Sequence, residues 1–125
     1  MIEEGALRVT EEGFELDVQL NWYRSLPLSS VSTVELTVDG ERIPRDEITF
    51  AVNGREYALD ELPEHADEYW FVLAAATLRV RRPLVRSGEE TEIRLRLGSK
   101  IPYILVGPGQ ALEQVSERSE NLVAR

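Results

Sequence analysis

Apolar residues in this chain recur at every second position rather than every third or fourth, and that spacing limits what it can fold into. Phe14, Leu16, Val18, Leu20 and Trp22 alternate with Glu15, Asp17, Gln19 and Asn21. Successive side chains of an extended backbone point to opposite faces, so this pattern describes a long strand with one buried and one wet side. Val34, Leu36 and Val38 repeat it, as do Ile48, Phe50 and Val52, then Leu78 and Val80, and finally Ile93, Leu95 and Leu97. A helix would need the apolar positions at intervals of three and four.

Turn residues punctuate the runs. Asp39-Gly40 and Asn53-Gly54 each sit between strand-like segments, where a two-residue type I′ turn needs positive φ at both positions. Ser87-Gly88 marks a further turn. Seven or eight strands at spacings of about 8–12 residues predict an all-β fold, an antiparallel β-sandwich of immunoglobulin-like architecture, with a barrel as the alternative. Two stretches break the period. Residues 60–68 (DELPEHADE) read as an acidic loop with room for one helical turn. Residues 107–125 carry only a weak helical stripe through Leu112, Val115, Leu122 and Val123. The expected organisation is one sandwich domain over residues 1–106 and a C-terminal tail or short helix over 107–125.

Length and composition narrow the chemistry. One domain suits 125 residues, since two halves would each bury too little surface. The chain has no cysteine, which removes disulfides, thiolate metal sites and cysteine nucleophiles. The net charge of -9 lies entirely in residues 1–83, and an acidic surface repels nucleic-acid phosphates. The basic run Arg79-Val80-Arg81-Arg82 reads as the salt-bridged outer face of a strand. No apolar run approaches the roughly 20 residues of a membrane-spanning helix, and Met1-Ile2-Glu3-Glu4 is acidic where an export signal would be basic. A cytoplasmic protein without membrane or nucleic-acid partners is expected.

No self-contained active site emerges. The single histidine, His65, lies in Glu64-His65-Ala66-Asp67-Glu68, a loop too short to wrap its ligands around one ion. A Ser/His/Asp triad would depend on the same histidine, and Ser25, Ser29, Ser30 and Ser32 lie in a polar segment around Pro27 with no nucleophile elbow. The adjacent carboxylates Glu3/Glu4, Glu11/Glu12 and Glu89/Glu90 would diverge if extended. No catalytic residue, metal ligand or cofactor is therefore expected in this chain.

The aromatic residues form three groups: Trp22-Tyr23, Tyr69-Trp70-Phe71 and Tyr103. Alternation puts Trp22 with the core and leaves Tyr23 outside, together with either Tyr69 and Phe71 or Trp70. Exposed rings of this kind serve protein interfaces or sugars. The segment Lys100-Ile101-Pro102-Tyr103-Ile104-Leu105-Val106 is almost wholly apolar, with a proline that a central strand would reject. It fits either an edge strand under the tail or a patch that meets a partner. Candidate interface residues are Tyr69, Trp70, Phe71, Ile101, Pro102, Tyr103 and Ile104. A stand-alone carbohydrate-binding sandwich and a self-associating module are the rival readings.

The succession VELTVDGERIP (Val34–Pro44), DEITFAVNGREYALDELPE (Asp46–Glu64), WFVLAAATLRVRRPL (Trp70–Leu84) and LRLGSKIPYI (Leu95–Ile104) resembles the small β-subunit of bacterial C-glycoside deglycosidases over roughly residues 5–106. The resemblance implies a β-sandwich that pairs with a larger TIM-barrel α-subunit. That α-subunit would carry a divalent metal, usually manganese, and the catalytic residues. The implied substrate is a C-glycoside already oxidised to its 3-oxo form, cleaved at the carbon–carbon bond to a flavonoid or other polyphenol. On this reading the chain has no turnover of its own.

Overall fold

The computed structural model describes residues 2, 3 and 5–125; Met1 and Glu4 lie outside the described residues, and with Glu4 one half of the Glu3/Glu4 pair. Eleven strands are found among the described residues: β1 (Leu7–Val9), β2 (Phe14–Val18), β3 (Leu26–Pro27), β4 (Val31–Val38), β5 (Glu41–Arg42), β6 (Ile48–Val52), β7 (Arg55–Ala58), β8 (Tyr69–Trp70), β9 (Ala76–Val80), β10 (Glu90–Gly107) and β11 (Gln110–Val123). One sheet runs β1-β2-β9-β6-β7, the other β11-β10-β4-β5, and β3 pairs with β8 alone. Every pairing is antiparallel.

The period-two residues are the core. Phe14, Leu16, Val18, Ile48, Phe50, Val52, Leu78 and Val80 from one sheet meet Val34, Leu36, Val38, Ile93, Leu95 and Leu97 from the other, all buried in a single apolar cluster. At about 1.5–3 kcal/mol for each large side chain withdrawn from water, these two faces are the main stabilising contribution. The expected turns form as the dipeptides require. Asp39 and Gly40 have φ of 48° and 83°, and Asn53 and Gly54 have 54° and 77°. Both pairs take the left-handed region that a type I′ hairpin needs.

The largest departure from expectation is at the C-terminus. Residues 110–123 form neither a tail nor a helix but β11, which pairs with β10 from Glu90↔Val123 to Gly107↔Gln110. Its half-buried positions Gln114 and Ser116 are polar, so hydrophobicity does not alternate along it. Asn21 supplies the reason: its side-chain amide donates to the Gln114 carbonyl at 3.2 Å and to Ser116 Oγ at 3.3 Å, filling the place of an apolar core at that end. Beyond β11 the chain stitches the two sheets together, since Arg125 N–H donates to the Leu7 carbonyl and Val9 N–H to the Arg125 carbonyl. β1, with three residues, and β3, β5 and β8, with two each, are too short to show a period. Residues 59–64 of the acidic loop make a short 3-10 helix that buries Leu59 and Leu62.

The outer face of the five-stranded sheet is a charge ladder. Arg8 grips Asp17 with both terminal nitrogens at 2.6 and 2.8 Å and reaches Glu15 at 3.1 Å. Arg79 bridges Glu15 and Glu56 there, while Arg82, past the end of β9, pairs with Glu47 and with Glu41 of β5 in the other sheet. The basic run is thus neutralised within the fold. The Arg8 guanidinium, helped by the Thr77 hydroxyl at 2.8 Å, holds the Asp17 carboxyl below its ordinary range. A depressed folded-state value means that this stabilisation is present above about pH 4 and is lost as pH falls through the folded value. Because about a third of each side chain remains exposed, the pair is worth about 1 kcal/mol. Asp17→Asn is expected to lower stability by that amount at pH 7 in urea unfolding, with the gap to wild type smaller at pH 3. An equal gap at both pH values would refute the assignment.

Candidate partner-binding pole

β2 ends at Val18 opposite Ala76 at the start of β9, and β6 ends beside them, while β4 begins at the same end of the sandwich. The connections leaving these strand ends therefore gather at one pole: residues 19–25, the 53–54 turn, residues 65–75 and the far end of the β10–β11 hairpin. The β3–β8 pair, Leu26↔Trp70 and Pro27↔Tyr69, ties two of these connections together, and Ser25 Oγ accepts the Val72 N–H at 2.8 Å. Asn53 secures the third by donating to the Tyr69 carbonyl at 2.7 Å.

The hairpin extends beyond the sheet. β4 accompanies β10 only as far as Ser99↔Val31, so residues 100–107 have β11 on one side and no strand on the other. Pro102 falls where the ladder breaks: Ile101 pairs with Leu112 and Leu105 with Ala111, so that three residues of β10 bulge outward. The missing N–H of proline costs nothing at a bulge, which explains how a proline lies within an 18-residue strand.

Most candidate interface residues reach the surface at this pole, and two do not. Tyr69 and Phe71 are exposed, as are Pro102 and Tyr103, whereas Ile104 is half-buried against the core. Trp70 is fully buried, its Nε1–H donating to the Ala74 carbonyl at 2.8 Å and its ring edge-on to Phe50 at 5.3 Å. It is a core residue, because the β3–β8 pairing turns it inward and leaves its neighbours out. Ile101 is likewise completely buried, one step before the bulge reverses the facing of the strand. Trp22 is only half-buried, since β2 has already ended, and its indole N–H donates to the Tyr103 hydroxyl at 2.5 Å.

The structure adds residues that the candidate set omitted. Leu73 is 97% exposed, Leu105 64% and Val106 63%. The signal for them is absence of charge. In a chain that is 30% charged, residues 69–78 and 101–112 contain no charged side chain. The fold brings both stretches to the same pole. Exposed apolar side chains in a setting depleted of charge are the composition of an interface centre rather than of free surface.

The acidic loop flanks this surface. His65 lies against the Tyr57 ring at 4.5 Å, and the Tyr57 hydroxyl donates to Glu68. That bond raises the Tyr57 phenol and lowers the Glu68 carboxyl from their ordinary values, with Arg55 also facing Glu68 at 3.5 Å. Among the described residues no three His, Asp or Glu side chains converge as metal ligands would. The same residues include no helix long and apolar enough to cross a membrane.

Comparison with known proteins gives this pole its context. Residues 1–103 match the family model described as "C-glycoside deglycosidase beta subunit". A protein of that name from Microbacterium trichothecenolyticum is 32% identical over 124 residues, covering 99% of this chain and 94% of its own length. Another from Arthrobacter globiformis is 36% identical over 111 residues, 86% of this chain and 83% of the relative. The 3'-dehydrocarminate deglycosidase beta subunit of a Microbacterium species is 36% identical over 106 residues, 85% of this chain and 80% of the relative. With the family model spanning most of the sandwich and relatives of this identity along nearly its whole length, the chain belongs to the C-glycoside deglycosidase beta-subunit family.

Proposed function

We propose that this chain is the non-catalytic β-subunit of a cytoplasmic C-glycoside deglycosidase complex, and that it docks on a TIM-barrel α-subunit through the uncharged pole. The observation that carries the reading is the convergence of residues 69–78 and 101–112, both free of charge, at one end of a molecule whose other surfaces are laced with ion pairs. An apolar centre of this kind, rimmed by Arg24, Lys100, Asp67 and Glu68, suits a lasting heteromeric contact. The names of the relatives, each a beta subunit, support a partner subunit.

The reaction assigned to the complex is cleavage of the carbon–carbon bond between a 3-oxo glucosyl unit and a flavonoid or other polyphenol. The 3-oxo group acidifies the neighbouring C–H. A base of the α-subunit takes that proton, and the electron pair expels the aryl carbon, which is protonated as it leaves. A divalent metal in the α-subunit, manganese by resemblance to the family, would supply Lewis-acid stabilisation of the developing oxyanion. This chain contributes no proton-transfer group to that step; its contribution is to hold the α-subunit in a competent form. Co-expression with an α-subunit should give a complex that survives size exclusion and converts a 3-oxo C-glucoside in the presence of manganese, with activity lost when this chain is omitted. Full activity of the α-subunit alone, or failure of the two to associate, would overturn the proposal.

A further inference from the structure

The pole carries a feature that docking by itself does not use. Trp22, Tyr23 and Tyr103 come together here: the Tyr23 ring lies 4.9 Å from the Trp22 ring, tilted by 43°, and the Trp22 indole N–H donates to the Tyr103 hydroxyl. The Arg24 guanidinium lies 5.2 Å from the centre of the Tyr103 ring. Tyr23 is 69% exposed, so the outermost ring of the group is available from solvent.

The group is held in place from beneath. Asn21, one residue before Trp22, donates to the Leu97 carbonyl at 3.0 Å as well as to Gln114 and Ser116, and its side-chain oxygen accepts from Ser99 Oγ at 3.1 Å. Ser99 is fully buried, so this clamp lies inside the fold, and the loop bearing the rings is pinned to both strands of the hairpin. Pinned rings lose little entropy when a ligand stacks on them.

We propose that Trp22, Tyr23, Arg24 and Tyr103 form one wall of the site for the aglycone, recognising a flat, hydroxylated aromatic ring system. The inference rests on the reading of the chain as a deglycosidase subunit and adds a direct contact with substrate. The chemistry matches in three respects. Tilted rings take an aromatic face in offset or edge-on stacking. The guanidinium, with five N–H donors and no acceptor, suits phenolate and carboxylate oxygens. The adjoining run 101–112 is uncharged and apolar, unlike the forked polar groups that a sugar needs for its hydroxyls. The wall is open on one side, so the partner subunit closes the site and orients the glycosyl half.

The test uses the assembled complex with the 3-oxo C-glucoside of apigenin, a flat trihydroxylated flavone. Tyr23→Ala and Arg24→Ala are each expected to raise KM about five- to tenfold while kcat stays within twofold, with the complex still intact by size exclusion. Tyr23→Phe, which keeps the ring, should behave as wild type. In the isolated chain, free apigenin should show saturation-transfer NMR contacts that Tyr23→Ala weakens, and methyl β-glucoside should show none at these rings. An unchanged KM in an intact complex overturns the aglycone wall while leaving the subunit assignment standing. Loss of the complex in Tyr23→Ala, with the variant chain still folded, also overturns it by making the rings part of the protein interface. If the wild-type chains never associate, the subunit assignment itself fails first.

Discussion

Leu105→Asp with Val106→Asp is expected to abolish assembly with the α-subunit while leaving this chain folded. Both side chains are more than three-fifths exposed on the part of β10 that no longer has β4 beside it. Aspartate there meets water and costs the isolated fold little. In a complex the same two carboxylates would be desolvated in an uncharged setting, with no cationic side chain on this chain nearer in sequence than Lys100. Stranding a charge in an interface centre costs several kcal/mol, so two should weaken binding at least a hundredfold. Co-purification should fail, activity should fall with it, and circular dichroism and the melting temperature should match wild type. Val123→Asp is the control. Val123 is an exposed valine opposite Glu90 at the other end of the hairpin, and its replacement should leave assembly intact. If the double variant binds like wild type, the pole is not the docking surface.

The second large effect belongs to the fold. Trp70→Ala should cost about 3–5 kcal/mol and lower the melting temperature by about 10–20 °C. The substitution removes a fully buried indole, its edge-on contact with Phe50 and the hydrogen bond that satisfies the Ala74 carbonyl. A domain of this size has only about 5–15 kcal/mol in total, so the variant will be marginal. Because Trp70 is the hinge on which Tyr69 and Phe71 face outward, Trp70→Phe is the informative companion. It keeps an aromatic ring in the core and should recover most of the stability. A melting temperature for Trp70→Ala within 3 °C of wild type would place Trp70 outside the core.

The contrast between Trp70 and its neighbours shows where reading by residue pattern succeeds. Alternation established that Trp70 and the Tyr69/Phe71 pair must face opposite ways; only the pairing of Leu26 with Trp70 decided which of them turned inward. The same holds for Ile101, whose apolar neighbours on the chain are exposed because a bulge reverses the strand after it. Period-two runs were readable because both layers of the core are built from them. β11 was not, because an edge strand capped by Asn21 has no need of apolar residues at Gln114 and Ser116, and without those the hydrophobic signal vanishes. The aromatic wall joins residues 22–24 to Tyr103, 81 positions beyond Trp22, and local pattern carries no information about contacts at that distance.

What the sequence determined by itself is therefore the class of fold, the inner faces of its long strands, the two type I′ turns and the family. Each of these follows from local chemistry: side-chain alternation, positive φ at Asp-Gly and Asn-Gly, and shared residues along the chain. Tertiary structure alone decided that the last stretch completes the sheet, that two uncharged runs meet at one pole, and that Trp22 reaches Tyr103. Those outcomes depend on which strand edges find each other across long loops, and hydrogen-bond pairing between distant segments is selected by the whole packed core rather than by any neighbouring residue.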